Sequence, residues 1–393
     1  MASGGPYESR VLGLKLAMEK AGLEAVFVQG SSSDLQYLFG VPRAFHHPTD
    51  HDRYGDVLSG AWIPLQGDPV FTAPRMDAAE DLRRSLSPSR WTDRIRVIGD
   101  GILGPLEDPV KVVEEIVAEL SPFSTLGITG RVRASGVLAL QHAFPSLRIR
   151  DASDLLQKLR SVKDEGELLR MQRAARLTER AFSAVLSQLR VGMTAREIAL
   201  EVDGLFARFG ADGPSFHTGI RITGPHLRLR PGEPERSGDT PVQPGVAIAF
   251  DMGCVLEGYS SDFGRTVFWG EPSPAMVRFY ETITKSQTAA VERLAAGQTT
   301  AAELNVVARG VIEAERLGQY FVHRLGHGIG IDLHESPFLF PGDDTILEEG
   351  MCFTIEPSLR TPEAAVRVED VFTVTPEGGK SLHQFSRELL VVG

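Results

Sequence analysis

Apolar positions along the first part of the chain recur at helical or strand spacing in short alternating blocks. Val11, Leu12, Leu14, Leu16, Ala17 and Ala21 predict a helix over 9–22 that stops at Gly22. Ala25-Val26-Phe27-Val28 predicts a strand, and Ser31 to Asp34 opens a second unit carrying Leu35, Tyr37, Leu38 and Phe39. Ala61-Trp62-Ile63-Pro64-Leu65 and Pro69-Val70-Phe71-Thr72 predict a strand pair joined by Gln66-Gly67-Asp68. Val112, Val113, Ile116, Val117 and Leu120 predict a helix over 110–120, and Leu126-Gly127-Ile128 a further short strand. This alternation is that of a small α/β domain. From Leu155 to Leu186 the pattern turns helical and charged, starting with Leu159-Arg160-Ser161-Val162-Lys163 and continuing through Leu168, Met171, Ala174 and Ala175. The domain boundary is therefore set near 158, giving domains 1–158 and 159–393. Thr194 and Glu197 form a capping-box pattern that opens a helix through Ile198, Val202 and Phe206. Beyond Gly245 strands dominate, apart from helices over roughly 273–296 and 301–316. No repeat of solenoid length is visible. A half-to-half likeness inside the second domain is not demonstrable from the sequence.

Within the strand-rich part, Val246-Ala247-Ile248-Ala249-Phe250-Asp251 runs through Met252 and Gly253, turns around Glu257-Gly258-Tyr259 and returns through Ser261-Asp262-Phe263-Gly264-Arg265. β-prone apolar flanks with glycines at the reversal predict two antiparallel strands. Asp251 and Asp262 then stand in neighbouring strands among apolar residues. Buried carboxylates are costly unless paired or bound to a metal, and two side by side raise each other's pKa unless a cation lies between them. The plainer alternative is a pair of turn aspartates capping strand ends.

Composition narrows the class. At 393 residues, 42% hydrophobic and 24% charged, the chain is an ordinary globular protein of two-domain length. Its formal net charge of -11 argues against nucleic acid or an anionic membrane as partner. Cys254 and Cys352 are too few for a disulfide framework and read as small buried residues of a reducing compartment. No stretch has the apolar length of a membrane span, and residues 1–7 carry no apolar signal core. A cytoplasmic location is expected.

Three more stretches offer ligands. His327 sits between glycines in Gly326-His327-Gly328-Ile329-Gly330, with His323 before it and His334 after it. Met351-Cys352-Phe353-Thr354-Ile355-Glu356 reads as an apolar strand ending in a glutamate, and Arg367 and Glu369 are spaced to share one face of a strand. Taken singly, a strand-end glutamate is ordinarily solvated and a lone histidine ordinarily structural. Together, five acidic or imidazole side chains in apolar or glycine-rich settings form a pattern.

The order Asp251, Asp262, His327, Glu356, Glu369 resembles the five-ligand dinuclear site of the pita-bread metallopeptidases, which include methionine aminopeptidase, aminopeptidase P and Xaa-Pro dipeptidase (prolidase). The resemblance covers the second domain, includes the 159–163 segment, and extends to an N-terminal domain of the size seen in prolidase and aminopeptidase P. It implies an α/β (α+β) architecture, a small N-terminal α/β domain followed by a C-terminal pita-bread (creatinase/aminopeptidase) domain. It also implies two divalent ions. Asp251 would chelate one, Asp262 and Glu369 would bridge both, and His327 and Glu356 would hold the second. Oxygen-rich ligation with one imidazole suits Mn²⁺, with Co²⁺ or Zn²⁺ as alternatives. A metal-bridged hydroxide would attack the scissile carbonyl, with Glu356 as proton acceptor and then donor. By the same resemblance His226, in Thr218-Gly219-Ile220-Arg221-Ile222-Thr223-Gly224-Pro225-His226, lies at the substrate carbonyl with His334, and Arg367 supports the carboxylates. Thr218 stands where the family has serine, the run from His226 to Asp251 is longer than usual, and His217 has no family counterpart.

Selection of proline comes from the resemblance alone; an Xaa-Pro bond lacks the N–H on which other peptidases depend. Reading a dipeptide's free carboxylate falls to Arg228 or Arg230, with a solvated loop as the plainer alternative, and His323 is assigned to substrate binding. Family members are homodimers in which the N-terminal domain can cover the partner's site, so Asp34, Arg43 or the segment His46, His47, Asp50, His51, Asp52, Arg53 would limit substrate length. The expected activity is hydrolysis of Xaa-Pro dipeptides. Aminopeptidase P-like or carboxypeptidase-like cleavage is the alternative, and a metal-free binding module of the same fold is the third reading.

Overall fold

The computed structural model describes residues 5–30, 32–42, 58–73, 76–87, 89–97, 109–120, 123–130, 132–224, 227 and 238–393. The chain divides into two compact units, 1–160 and 161–393.

The first unit is built on a six-stranded sheet in the spatial order Ile95–Val97, Val70–Ala73, Gly60–Pro64, Ala25–Gln29, Thr125–Ile128, Arg148–Asp151. Ala25–Gln29, buried along its whole length, pairs antiparallel with Gly60–Pro64 and parallel with Thr125–Ile128. The helix Pro6–Ala21 ends because Gly22 adopts φ 67 and its N–H closes onto the carbonyls of Glu19 and Met18. The expected pair around 66–68 is present, with Trp62 opposite Val70. Helices Met76–Leu86 and Ala134–Ala143 and strands Ile95–Val97 and Arg148–Asp151 were not anticipated. Both strands are short, and Arg148-Ile149-Arg150-Asp151 contains a single apolar residue to carry a pattern.

The second unit repeats one plan twice. Helices Glu165–Leu186 and Ala195–Arg208 pack on a four-stranded sheet ordered Leu390–Val392, Phe263–Trp269, Val246–Met252, Gly219–Thr223, with Phe182 edge-on to Phe250 at 5.1 Å in the shared core. Helices Pro274–Arg293 and Ala301–Ala314 pack on a five-stranded sheet ordered Glu335–Leu339, Gly326–Gly328, Cys352–Ile355, Asp370–Thr375, Gly378–Ser381. The second helix of each pair opens with the same device. Thr194 and Glu197, and then Thr300 and Glu303, form complete capping boxes, and each threonine also makes an isolated antiparallel bridge, to Pro241 and Ile346 respectively. This is the half-to-half likeness that hydrophobic periodicity left undemonstrated. The two sheets touch at Gly264 and Glu369, whose backbones exchange hydrogen bonds of 3.2 and 2.9 Å.

Three local expectations need correction. The continuous helical stretch over 155–186 is two helices, Ser153–Ser161 and Glu165–Leu186. Val162 instead bridges Met351, Lys163 N–H donates to the Gly350 carbonyl, and Asp164 caps the next helix. Asp262 lies in the link between Tyr259–Ser260 and Phe263–Trp269 rather than within a strand, because the hairpin splits between two sheets. Its tip is a tight reversal in which Glu257 (φ 50) and Gly258 (φ 75) are both left-handed. Arg367 ends one strand and Glu369 precedes another, so they do not share a single strand face.

Candidate metal centre

Where the two sheets of the second unit meet, each contributes carboxylates to one buried cluster. Asp251 comes from the strand opposite Gly264, Asp262 from the link before Phe263, His327 from the short strand Gly326–Gly328, and Glu356 directly follows Cys352–Ile355. Glycine is required beside these groups. A Cβ on Gly264 would lie 2.7 Å from a Glu369 carboxylate oxygen and 2.6 Å from Arg367 Cδ. A Cβ on Gly326 would lie 1.9 Å from the Thr354 carbonyl oxygen, and one on Gly328 would lie 2.4 Å from that of Ser336. His327 is thus held by a backbone that only its glycine neighbours permit.

The imidazole tautomer follows from its contacts. His327 Nδ1 is 3.0 Å from the Gly328 carbonyl, which can only accept, so Nδ1 carries the proton and Nε2 presents a lone pair. That Nε2 faces Glu356 Oε1 at 3.4 Å and Asp262 Oδ2 at 3.5 Å. Three acceptors therefore converge with no donor between them. Asp262 Oδ1 is buried and has no hydrogen-bond partner among the described residues. Ligand atoms of Asp262, His327 and Glu369 lie within 4.8 Å of one another. Thr354 takes the His327 N–H at 3.1 Å and donates to Glu356 Oε1 at 3.2 Å, fixing both ligands from behind.

Arg367 is the cation of the cluster. Its Nη1 binds Asp251 Oδ2, donates to Glu369 Oε2 at 3.0 Å and lies 3.7 Å from Glu356 Oε2. Burial opposes its charge, but the surrounding Glu369, Asp251, Glu356 and Asp262 hold its pKa above the ordinary value. One guanidinium does not balance four carboxylates. Burial, then Asp251 and Glu356, raise the Asp262 pKa well above the usual range, and burial with Asp262 and Glu356 does the same to Glu369. Burial, only partly offset by Arg367, pushes Glu356 up to about 7. His327 is pushed down to about 3, chiefly by burial. Surplus negative charge, an orphaned oxygen and a neutral imidazole aimed inward fit divalent cations bound by oxygen-rich ligands.

The cluster floors a cavity of about 860 Å³ whose walls include Phe216, Val322, Leu333, Phe338 and Phe340, with Arg324 and Arg360 at its polar side. His334 lines it, with its ring 4.1 Å from that of His327. His323 also lines it, but both ring nitrogens are engaged: Nδ1–H donates to the Arg324 carbonyl at 2.6 Å and Nε2 pairs with Ser358 Oγ at 2.5 Å. Neither ring nitrogen of His323 is therefore left free for the substrate contact expected of it. His217 is exposed and lines an adjoining cavity of about 560 Å³ that shares Asp251, Arg360 and Arg367. His226, Arg228, Arg230, Arg43 and the 46–53 segment lie outside the described residues. Asp34 belongs to the first unit, where it is buried and accepts a 2.7 Å hydrogen bond from Arg160 Nη1. Sequence reading missed Thr354, although its period-two spacing from Glu356 on one strand edge was a usable signal. It also missed Arg360, which nothing in the local pattern marks.

Comparison with known proteins agrees with this geometry. Residues 169–376 match the profile of metallopeptidase family M24, and residues 10–162 match the creatinase/prolidase N-terminal domain. An Xaa-Pro dipeptidase of Lactobacillus delbrueckii is 36% identical over 295 residues, covering 73% of this chain and 78% of that protein. An Xaa-Pro dipeptidase of Pyrococcus furiosus is 34% identical over 281 residues, covering 71% and 79%. The crystal structure of a dipeptidase from Pyrococcus horikoshii superposes with a TM-score of 0.83 at 27% identity, over 98% of this chain and 100% of that one. The expected architecture, a creatinase-like N-terminal domain before a pita-bread domain, is borne out. The profile match over more than half of its length shows that the chain belongs to metallopeptidase family M24.

Proposed function

We propose that this protein is a metal-dependent Xaa-Pro dipeptidase. The observation that carries the reading is the convergence of His327 Nε2, Asp262 Oδ2 and Glu356 Oε1 without a donor among them, at the floor of a peptide-sized cavity. The Xaa-Pro dipeptidases to which the chain is similar support the substrate class. Asp251, Asp262, His327, Glu356 and Glu369 would hold two divalent ions, Mn²⁺ first, which supply Lewis-acid polarisation of the scissile carbonyl and acidify a water.

The chain's own groups do the rest. Glu356, oriented by Thr354, takes the proton of the attacking water and delivers it to the leaving proline nitrogen. Arg367 orients Asp251 and Glu369. His334 donates to the carbonyl oxygen as negative charge develops there, and His226 is assigned the same task. The apolar wall of Phe216, Phe338 and Phe340 excludes water and suits the pyrrolidine ring. His323 flanks the substrate, Arg228 or Arg230 is assigned to the free carboxylate of a dipeptide, and Arg43, within a homodimer, to substrate length. The acidic net charge and two buried free cysteines support a cytoplasmic enzyme.

The test is hydrolysis of Ala-Pro and Ala-Pro-Ala by metal-stripped protein with and without Mn²⁺. Metal-dependent cleavage of Ala-Pro alone is expected. Preference for Ala-Pro-Ala would move the assignment to aminopeptidase P or a carboxypeptidase, according to the bond broken. Inactivity on both with metal bound would refute the proline assignment.

A further inference from the structure

Directly behind the loop that carries His334 lies a buried ion pair that the proposed chemistry does not use. Lys163 Nζ and Glu335 Oε2 are 3.2 Å apart, with the two side chains only 2% and 7% exposed. The ammonium also donates to the Ser161 carbonyl at 3.2 Å, and the second carboxylate oxygen, Oε1, accepts the Asp332 N–H at 2.9 Å. A buried charge survives only where its partners are fixed, and each of these is. Lys163 is tied down on its own backbone by the Gly350 carbonyl, next to the bridge between Val162 and Met351. On the other side, Gly330 N–H donates to the Asp332 carbonyl at 3.0 Å, and the Gly330 carbonyl accepts from Ser260 N–H at 2.8 Å. Gly330 packs directly on the pair: a Cβ there would stand 2.9 Å from both Glu335 Oε2 and Lys163 Cε.

Glu335 opens the strand Glu335–Leu339, and Leu333 and His334 precede it in the turn. Glu335, buried, is the back of a residue pair whose front is the exposed His334 in the cavity. Leu333, two residues from Glu335, lines the same cavity. The turn 330–335 is fastened by Ser260 at Gly330 and Ile331 and, from below, by the Glu335 carboxylate, which Lys163 holds in turn.

We infer that Lys163 is a positioning residue for the reaction: through Glu335 it fixes the 330–335 turn and so sets His334 against the substrate carbonyl. The inference rests on the proposed peptidase reading of the cavity. An interaction made mainly in the transition state is lost from kcat and kcat/KM together, with KM little changed.

The experiment is a double-mutant cycle on Ala-Pro hydrolysis by the metal-loaded full chain, combined with hydrogen exchange on the metal-free protein. Lys163→Met is expected to lower kcat at least tenfold with KM nearly unchanged, and Lys163→Arg to restore most of the rate. In a His334→Ala background, Lys163→Met is expected to cost less than a further factor of two. In the metal-free protein the Asp332 amide is expected to exchange at least tenfold faster in Lys163→Met. A full rate per folded molecule, losses that multiply across the cycle, or an unchanged Asp332 amide would overturn the assignment. Should Lys163→Met fail to fold, Glu335→Gln, which keeps the shape and drops the charge, is read by the same three measurements. A wild-type chain inactive on dipeptides would refute the peptidase reading, and the exchange measurement would still judge the Lys163–Glu335 fastening.

Discussion

Glu356 has surroundings that make the metal-free protein sensitive to pH. Its folded pKa of about 7 lies above the ordinary 4.5, so between those values the folded state binds more protons than the unfolded state. Stability contributed by the protonated form is complete below pH 4.5 and is lost as pH rises through 7. Glu356→Gln removes that dependence without removing volume. The metal-free variant should therefore melt at the wild-type temperature near pH 4.5 and several degrees higher above pH 7, as read by calorimetry across the range. An equal melting temperature at pH 8 would mean that the carboxylates do not repel as the geometry requires. The same residue was legible in the sequence only in company: a strand-end glutamate is ordinarily solvated, but five acidic or imidazole side chains in apolar or glycine-rich settings form a pattern. His323 was legible only as a histidine near the cluster. Its partner Ser358 is 35 positions away, and no local pattern announces that both ring nitrogens are already used.

Between elements, the decisive join is the one at Gly264 and Glu369, and Arg265 clamps it. Its guanidinium, fully buried, donates to the Gly264 and Glu369 carbonyls at 2.8 and 2.7 Å, to Asp370 Oδ1 at 2.7 Å, and to the carbonyls of Ser386 and Phe385 at 3.1 and 3.2 Å. Asp370 in turn accepts from Gln287 at 3.2 Å. Removing one partner of such a buried pair leaves the other uncompensated, a loss of about 3–5 kcal/mol. Arg265→Met is expected to destabilise the protein by about that amount in urea unfolding and to lower metal affinity, because Glu369 is carried by the same join. A loss below about 1 kcal/mol would show the clamp to be dispensable. The sequence reading found the strand containing Arg265, since β-prone apolar residues and a glycine turn mark the hairpin, but not the clamp, whose members are 105 residues apart. It found the Thr194 capping box because that signal is local. It placed Asp262 inside a strand because alternation does not reveal that a hairpin splits between two sheets. Helices 76–86 and 134–143 escaped because the strands that follow them, 95–97 and 148–151, were too short to frame an α/β alternation.

At the scale of the whole chain, every proposed metal ligand, Asp251 to Glu369, belongs to the second unit, so binding energy enters the molecule there. A ligand that binds only the folded state stabilises it by about 2.7 kcal/mol when its free concentration is 100 times Kd. Four carboxylates around one guanidinium make this coupling strong, because each ion removes repulsion as well as adding bonds. Stripping the metal should therefore loosen the elements that converge on the cluster before those remote from it. Hydrogen exchange on full-length protein, compared with and without Mn²⁺, is expected to show protection concentrated in 248–254, 262–266, 325–329, 353–357 and 367–371. The six-stranded sheet of the first unit should change little, since none of its residues contributes a ligand. Protection spread evenly over both units would mean that the ion acts on the protein as a single cooperative body. Protection absent from the ligand segments would remove the metal from this cluster altogether.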